Sequence, residues 1–208
     1  MRILLFGATG GTGREIIAAG LEQGHYITAF VRNASGLGVK NEKLSIIEGN
    51  ILDAKSVDKA VRGQDAVISV LGNKTRNAFW KSNTVISSGV KNIINSMEKN
   101  KISRLLFVTS FGVSDNIFLP EKLFIKIVLR NIFADIPTQE KLIRESALAW
   151  TIVRPARLIN GPRTGKYKVS ENLPINPLSK ISRTDVADFL LSNLTSESSV
   201  GKTLIISY

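Results

Sequence analysis

The residues with the clearest chemical meaning lie near the N-terminus, in the stretch Gly7–Gly13, where glycines recur as GxxGxxG. In a dinucleotide site, the first glycine of this spacing permits a tight turn, the second lets the backbone approach a pyrophosphate, and the third lets a helix pack closely on the sheet. Threonine hydroxyls and the free N–H groups of the helix that follows can then donate to the phosphates. The pattern favours nucleotide binding over a glycine-rich turn without a ligand. The predicted phosphate-binding residues are Gly7, Thr9, Gly10, Gly11, Thr12 and Gly13.

The elements on either side of this turn have the required character. Residues 2–6 form a short apolar run that suits one buried strand, and residues 14–22 have helix-forming composition. In the second segment Ile16, Ile17 and Leu21 recur at helical spacing. A strand, a glycine turn and a helix in this order are the context in which the motif carries weight.

Arg32 follows the second predicted strand, residues 26–31, and bears on the choice of cofactor. An NAD site usually has an acidic residue here for the ribose 2′-hydroxyl, whereas an NADP site has an arginine near the 2′-phosphate. No acidic residue lies between Tyr26 and Asn41. We therefore predict NADP(H) as the cofactor, with a solvated surface arginine as the alternative.

Further candidates follow the other predicted strands, because ligands of an open α/β sheet bind beyond the carboxyl ends of its strands. Asp53 could accept a hydrogen bond from the adenine amino group or cap the next helix. Ser110 is predicted to lie at the nicotinamide end, with a turn serine as the alternative. The remaining predicted cofactor contacts are Leu52, Leu71, Gly72, Thr109 and Pro155.

Composition restricts the class of protein. The chain has 208 residues, enough for a single domain with a substantial core. It has no cysteine and one histidine, His25, which excludes thiolate and histidine-cluster metal sites. His25 precedes the second predicted strand, far from the carboxyl ends, so we expect a structural role for it and no Ser-His-Asp triad. The net charge is +11, but the basic residues are dispersed, so we expect no nucleic-acid partner. No apolar run reaches the length of a membrane helix, and we expect a cytoplasmic protein.

Strands and helices alternate along the chain, which predicts an α/β fold with a doubly wound, mostly parallel sheet of the Rossmann type. We expect a single NAD(P)-binding domain over residues 1–208, with a small substrate-side lobe from about residue 160 to 208. The further predicted strands cover residues 44–48, 66–71, 104–109, 150–153, 166–169 and 203–206, and the further helices cover residues 55–61, 82–99, 138–147 and 184–194.

The segment 116–135 is less regular and has three readings. Lys122, Lys126 and Arg130 would share one stripe of a helix with apolar residues beside it. This composition suits a lid or packing helix beside the active site, which we favour, but it also fits an interface or an amphipathic membrane-surface helix.

Several motifs together resemble the atypical short-chain dehydrogenase/reductase family, and within it the flavin reductase B or biliverdin-IXβ reductase group. They are GATGGTG from Gly7, VR at Val31, GNILD from Gly49, GQDAVISVLG from Gly63, TSF from Thr109, KLIRES from Lys141, TGKYKV from Thr164 and the SxxDVA segment from Ser182. The likeness covers nearly the whole chain. It implies an NADPH-binding Rossmann domain that passes hydride to flavins or linear tetrapyrroles.

The same resemblance implies two catalytic positions. Ser110 matches the family serine beside the nicotinamide, and Lys141 falls near the lysine of the superfamily. The Tyr-x-x-x-Lys motif itself is absent, because Pro137 stands four residues before Lys141. A surface pair between Lys141 and Glu145 is the alternative.

From these features we expect an NADPH-dependent reductase whose acceptor is a flavin, a quinone or a tetrapyrrole-like molecule. A redox-sensing regulator that binds NADP(H) without catalysis is one alternative, and a sugar-nucleotide epimerase-like enzyme is another. The oligomeric state is left open.

Overall fold

The computed structural model describes residues 1–72, 85–110, 135–176 and 178–208, and a central sheet runs through these residues. Eight strands form this sheet, and in order across it they are β3 Leu44–Glu48, β2 Tyr26–Val31, β1 Arg2–Phe6, β4 Ala66–Ser69, β5 Arg104–Val108, β6 Ala149–Pro155, β10 Lys202–Ser207 and β8 Lys168–Ser170. All neighbours pair in parallel except β8, which is antiparallel to β10.

Helices cover both faces of this sheet, as the near-continuous apolar strands require. The described helices are α1 Gly11–Glu22, α2 Ala54–Val61, α3 Val85–Lys99, α4 Ile136–Arg144 and α5 Arg183–Ser192. One buried apolar cluster joins the sheet to α1 and α5, and a second joins the opposite face to α2, α3 and α4. The predicted doubly wound α/β fold is therefore confirmed.

The strand order reverses beside β1, which pairs with β2 on one side and with β4 on the other. In a doubly wound sheet the crevice at this reversal is where ligands bind. The turn after β1 lies at that point, so the fold places the glycine-rich segment at the expected ligand crevice.

Two short strands were not predicted, β7 Arg157–Ile159 and β9 Lys180–Ser182. They pair in parallel as a separate two-stranded sheet. Each has three residues, too few for a visible alternation of apolar and polar positions. This small sheet leads directly into α5.

The predicted lobe from about residue 160 to 208 divides between the two sheets. β8 and β10 extend the central sheet, whereas β9 joins the small sheet. The boundaries of the lobe stay a prediction.

Candidate functional site

Most of the candidate residues gather at the carboxyl edge of the central sheet. β1, β2, β4, β5 and β6 run in parallel, so the residues that follow them lie along one edge. The candidates brought to this edge are Gly7–Gly13, Arg32, Leu71, Gly72, Thr109, Ser110 and Pro155.

The chain packs so closely around the turn after β1 that Gly7 in the turn and Gly13 in α1 have no room for a side chain. Gly7 has a φ of +86°, and a Cβ there would stand 2.7 Å from the carbonyl oxygen of Val70. A Cβ on Gly13 would stand 2.3 Å from the carbonyl oxygen of Gly7. The amide of Gly10 donates to that same carbonyl at 3.0 Å, which closes the turn.

Helix α1 starts immediately after this turn, and its first turn is open to an anion. Its N-cap, Gly10, has no side chain to accept from the first amides, and no acidic residue lies in the first turn. The first N–H groups of a helix lack partners within the helix, and the helix dipole adds positive potential there. The tight glycine cradle and the uncapped helix start therefore fit a pyrophosphate.

The loop after β2 folds back over the glycine-rich turn. A Cβ on Gly36 would stand 3.2 Å from Cγ2 of Thr9, so the two segments are in near contact. Arg14 holds the loop in place by donating to the carbonyl oxygens of Leu37, at 3.2 Å, and of Gly36. The sequence analysis did not assign this role to Arg14. Its position directly after Gly13, the last glycine of the motif, was the one signal for it.

Arg32 lies exposed where this loop begins and pairs with no carboxylate in the described part of the chain. An acidic residue, Glu48, lies close to this loop in the fold, although it is distant from it in the sequence. Glu48 ends β3 opposite Val31, and its Oε1 accepts from the amide of Ala34 at 2.5 Å. The carboxylate is thus already hydrogen-bonded to the loop. Within the described ranges Arg32 has no acidic partner, which is compatible with the predicted contact to a 2′-phosphate.

Replacing Arg32 with alanine should weaken NADPH binding by roughly ten- to a hundredfold, because a hydrogen bond to a charged group is worth about 1.5–3 kcal/mol. NADH lacks the 2′-phosphate, so its affinity should hardly change. Titration of both cofactors by nucleotide fluorescence measures the difference. Arg62→Ala, at the far end of α2, is the control for the general positive charge. Equal losses of NADPH and NADH affinity would contradict the assignment.

Two residues at the predicted adenine side differ in their contacts. Asp53 is the N-cap of α2 and accepts from the amide of Lys55 at 3.0 Å, so the capping interpretation is confirmed. Leu52 is 46% exposed and available to a ring. Contact of either residue with adenine stays a prediction.

The predicted nicotinamide end is formed by the residues after β5. Thr109 and Ser110 are both half-buried. The amide of Thr109 donates to the carbonyl of Val153 at 2.9 Å, and its hydroxyl donates to Oε1 of Glu140 at 2.9 Å. Thr109, which directly precedes Ser110, is therefore hydrogen-bonded to both β6 and α4. Pro155, buried at the end of β6, lies along the same edge.

Glu140 is the centre of a buried charged cluster beside this end, and sequence reasoning gave it no role. Its side chain is 2% exposed. Arg154 donates from Nε at 2.9 Å and from Nη2 at 2.5 Å, and Arg144 donates from Nη2 at 2.6 Å. Burial raises the pKa of Glu140, but the hydrogen bonds from Arg154 and Thr109 and the two guanidinium charges outweigh it and lower that pKa. The carboxylate stays ionised.

Lys141, the other predicted catalytic residue, points away from this cluster. Its side chain is 73% exposed, and its Nζ lies 3.8 Å from Oε1 of Glu145. This is the surface pair that we considered as the alternative. Pro137 lies in the first turn of α4, where the missing tyrosine would stand. The catalytic role of Lys141 stays a prediction.

The described residues contain neither a membrane-spanning helix nor a cluster of metal-binding side chains. Over the described residues, every helix is too short or too polar to cross a bilayer. The same residues bring together no group of three or more His, Cys, Asp or Glu that could bind a metal ion. The segment 116–135 lies, except for Asp135, outside the residues that the structure describes.

Comparison with known proteins agrees with this geometry. The chain is 28% identical over 208 residues to the uncharacterized protein YwnB of Bacillus subtilis, and the match covers 93% of this chain and 92% of YwnB. A short-chain dehydrogenase/reductase from Veillonella parvula, solved in complex with NADP, matches with a TM-score of 0.81 at 20% identity. That match covers 100% of this chain and 94% of the other.

The structure of ChuY from Escherichia coli O157:H7, described as an anaerobillin reductase, matches with a TM-score of 0.77 at 23% identity. It covers 99% of this chain and 96% of ChuY. At these identities both structures show a common fold. The family model described as NAD(P)H-binding matches residues 7–197, from the glycine-rich turn to beyond α5. The resemblance to atypical short-chain dehydrogenases is confirmed at this level, and the chain belongs to the NAD(P)H-binding family.

Proposed function

We propose that this protein is an NADPH-dependent reductase that transfers hydride to a flavin, a quinone or a similar conjugated acceptor. NADPH supplies the hydride when bound. The glycine-rich turn would hold the pyrophosphate, Arg32 the 2′-phosphate, and Ser110 would orient the reacting end. Thr109 and Pro155 would border that end. The main task of these residues is to hold the two reactants in position.

The observation that carries this proposal is how the tyrosine hydroxyls are hydrogen-bonded. The sequence contains three, and all lie in described residues. Tyr208 donates its hydroxyl to Asp185 at 2.6 Å, and Tyr167 donates to Asp188 at 3.0 Å. Burial, together with Asp188, raises the pKa of Tyr167 to about 12. Tyr26 begins β2, at the opposite edge of the sheet. Tyr208 and Tyr167 lie at the carboxyl edge of the sheet, because β10 is parallel to β6 and β8 is antiparallel to β10, but each hydroxyl already donates to a carboxylate.

The single histidine is also distant from the site. His25 precedes β2 at the amino edge, and its Nδ1 lies 3.3 Å from the N-terminal amino group. Burial and the charge of that amino group lower the pKa of His25. The predicted nicotinamide end therefore has no imidazole nearby, and the phenols at its edge of the sheet already donate to carboxylates.

This arrangement favours one class of acceptor. Reduction of a ketone places charge on one oxygen, and a positioned general acid typically contributes about a hundredfold or more. A flavin or quinone spreads the incoming charge over its conjugated system, so solvent can supply the proton separately. Residues that position reactants without donating a proton suit this second chemistry.

The test is NADPH oxidation with FMN, riboflavin, biliverdin and quinones, compared with simple ketones. We expect turnover with at least one conjugated acceptor, little with ketones, and a colourless purified protein that holds no flavin tightly. Gly13→Ala, a variant in which alanine clashes with the turn, serves as the control for contaminating reductases. Robust ketone reduction without flavin or quinone reduction would overturn the proposal.

The same assay separates the alternatives. A redox-sensing regulator would bind NADPH without oxidising it in the presence of any acceptor. An epimerase-like enzyme would act on a sugar nucleotide, a reaction for which the missing tyrosine is unfavourable. Either result would replace the reductase assignment while leaving the cofactor site unchanged.

A further inference from the structure

Arg183 lies against the start of α1, although 170 or so residues separate the two in sequence. It is the first residue of α5 and directly follows β9 of the small sheet. Its Cδ and Nε would each stand 2.7 Å from a Cβ on Gly11, the first residue of α1. The arginine stem thus fills the space that any side chain at position 11 would need.

The guanidinium of Arg183 has no acidic partner in the described part of the chain. Its Nη1 donates to the neutral amide oxygen of Asn160 at 2.7 Å. Asp185, two residues on, is fully buried and receives hydrogen bonds from the amides of Thr164 and Gly165. The carboxylate of Asp185 is therefore hydrogen-bonded to the loop before β8 and does not pair with Arg183.

Asp188, the other acidic residue of α5, is also paired with other residues. Asp188 accepts from Arg163, whose Nε lies at 2.8 Å, and from the hydroxyl of Tyr167. Among the residues that the structure describes, Arg183 therefore has no carboxylate partner, because the two carboxylates of α5 are paired elsewhere.

This charge stands beside the positive end of α1. The first turn of α1 contains no acidic residue, and Gly10 provides no capping side chain. A guanidinium and a helix N-terminus repel each other unless an anion lies between or beside them. The anion that this family places at the start of α1 is the cofactor pyrophosphate.

We infer that Arg183 is a pyrophosphate-binding residue, which reaches the cofactor from the start of α5 and supplements the amides of the glycine-rich turn. The inference rests on the cofactor site of the proposed function. It also explains the glycine at position 11, because alanine there would displace the arginine stem.

The test uses isothermal titration calorimetry with three ligands: NADP⁺, 2′-phospho-ADP-ribose and 2′-AMP. Only the first two contain the pyrophosphate. Arg183→Ala should lower affinity for both by about tenfold or more, as expected for a charge-assisted contact, and leave 2′-AMP binding unchanged. Arg32→Ala should weaken all three ligands, because each contains the 2′-phosphate.

Two further variants check the geometry. Gly11→Ala should reproduce the loss seen in Arg183→Ala, and the double variant should lose no more than either single one. Arg163→Ala removes an arginine of the same region that is paired with Asp188, and its NADP⁺ affinity should match wild type. The thermal midpoint of ligand-free Arg183→Ala should equal or exceed that of wild type, because an unfavourable charge contact is removed.

Wild-type affinity of Arg183→Ala for NADP⁺ would overturn the inference, as would an equal loss for 2′-AMP. These outcomes are distinct from failure of the proposed function. A protein that binds NADP⁺ in an Arg183-dependent manner but reduces no acceptor would keep this inference and lose the reductase assignment. A wild-type protein that binds none of the three ligands would remove both.

Discussion

Replacing Gly13 with alanine is expected to abolish most cofactor binding and to destabilise the fold. The new Cβ would lie 2.3 Å from the carbonyl oxygen of Gly7 and 2.8 Å from Cα of Ala8. Both are backbone atoms, which move only if the turn or α1 moves. Overpacking of this kind typically costs about 1–3 kcal/mol and occasionally more. We expect a loss of about 3 kcal/mol in the free energy of unfolding, measured by urea denaturation.

The same displacement should lower NADPH affinity by about a hundredfold. The amides of the turn and of the α1 start would no longer point at one phosphate position, and each such charged contact is worth about 1.5–3 kcal/mol. Fluorescence titration of the folded variant measures this loss below its unfolding transition.

Gly20→Ala is the matched control for Gly13→Ala. It lies in the same helix, but its Cβ would first meet the Cδ1 atom of Ile27 at 2.7 Å, the end of a flexible side chain. Alanine is favoured over glycine in a helix by about 0.5–1 kcal/mol, which offsets the local shift. Its stability should stay within about 1 kcal/mol of wild type, with unchanged NADPH affinity. If Gly13→Ala bound NADPH like wild type, the glycine-rich turn would not be the phosphate site.

Replacing Glu140 with glutamine should cost about 3–5 kcal/mol of stability at neutral pH, because removing one member of a buried ion pair leaves the other charges uncompensated. Arg154 and Arg144 both donate to this carboxylate. A glutamine would present amide hydrogens to at least one guanidinium, and the hydroxyl of Thr109 would lose a charged acceptor. Turnover should fall further than NADPH affinity, because Thr109 directly precedes Ser110.

The stability difference should also depend on pH. The pKa of Glu140 is lowered in the folded protein from an ordinary value of 4.5, so the carboxylate stabilises the fold above that value. This contribution is lost as the pH falls through the lower folded pKa. Wild type and Glu140→Gln should therefore converge in stability below pH 4.5, as urea denaturation at several pH values would show.

Glu145→Gln makes the same chemical change five residues along the chain. Its partner Lys141 is 3.8 Å away and 73% exposed, so the pair should contribute no more than about 1 kcal/mol. A similar loss for both variants would mean that the buried cluster has no special role in stability.

The sequence alone predicted most of the described strands and helices and the tight glycine-rich turn after β1. β1, β2 and β3 begin and end at the predicted residues, because each is a short apolar or alternating run next to clear turn residues. The GxxGxxG spacing predicted a tight turn after β1, and the positive φ of Gly7 and the lack of space at Gly13 confirm it. These features depend on residues that are close together in the chain, so a short stretch of sequence is enough to predict them.

Helix boundaries were less accurate. α1 starts at Gly11 rather than at residue 14, and α4 covers Ile136–Arg144 rather than residues 138–147. Glycine and proline disfavour helix interiors, but both are tolerated in the first turn, where amides have no helical partner to lose. Propensity therefore placed both helix starts too late.

Tertiary structure alone decided which charged residues meet. Glu140 lies 31 residues from Thr109 and 14 from Arg154 in sequence, yet it hydrogen-bonds to both. Glu48 reaches the loop after β2 only because β3 pairs with β2. Arg183 reaches Gly11 only because the unpredicted β9 carries the chain back to α1. The periodicity of a sequence indicates which side of a segment is buried and which side is exposed to solvent. Contacts between distant segments depend instead on strand order, register and helix packing, which no local pattern encodes.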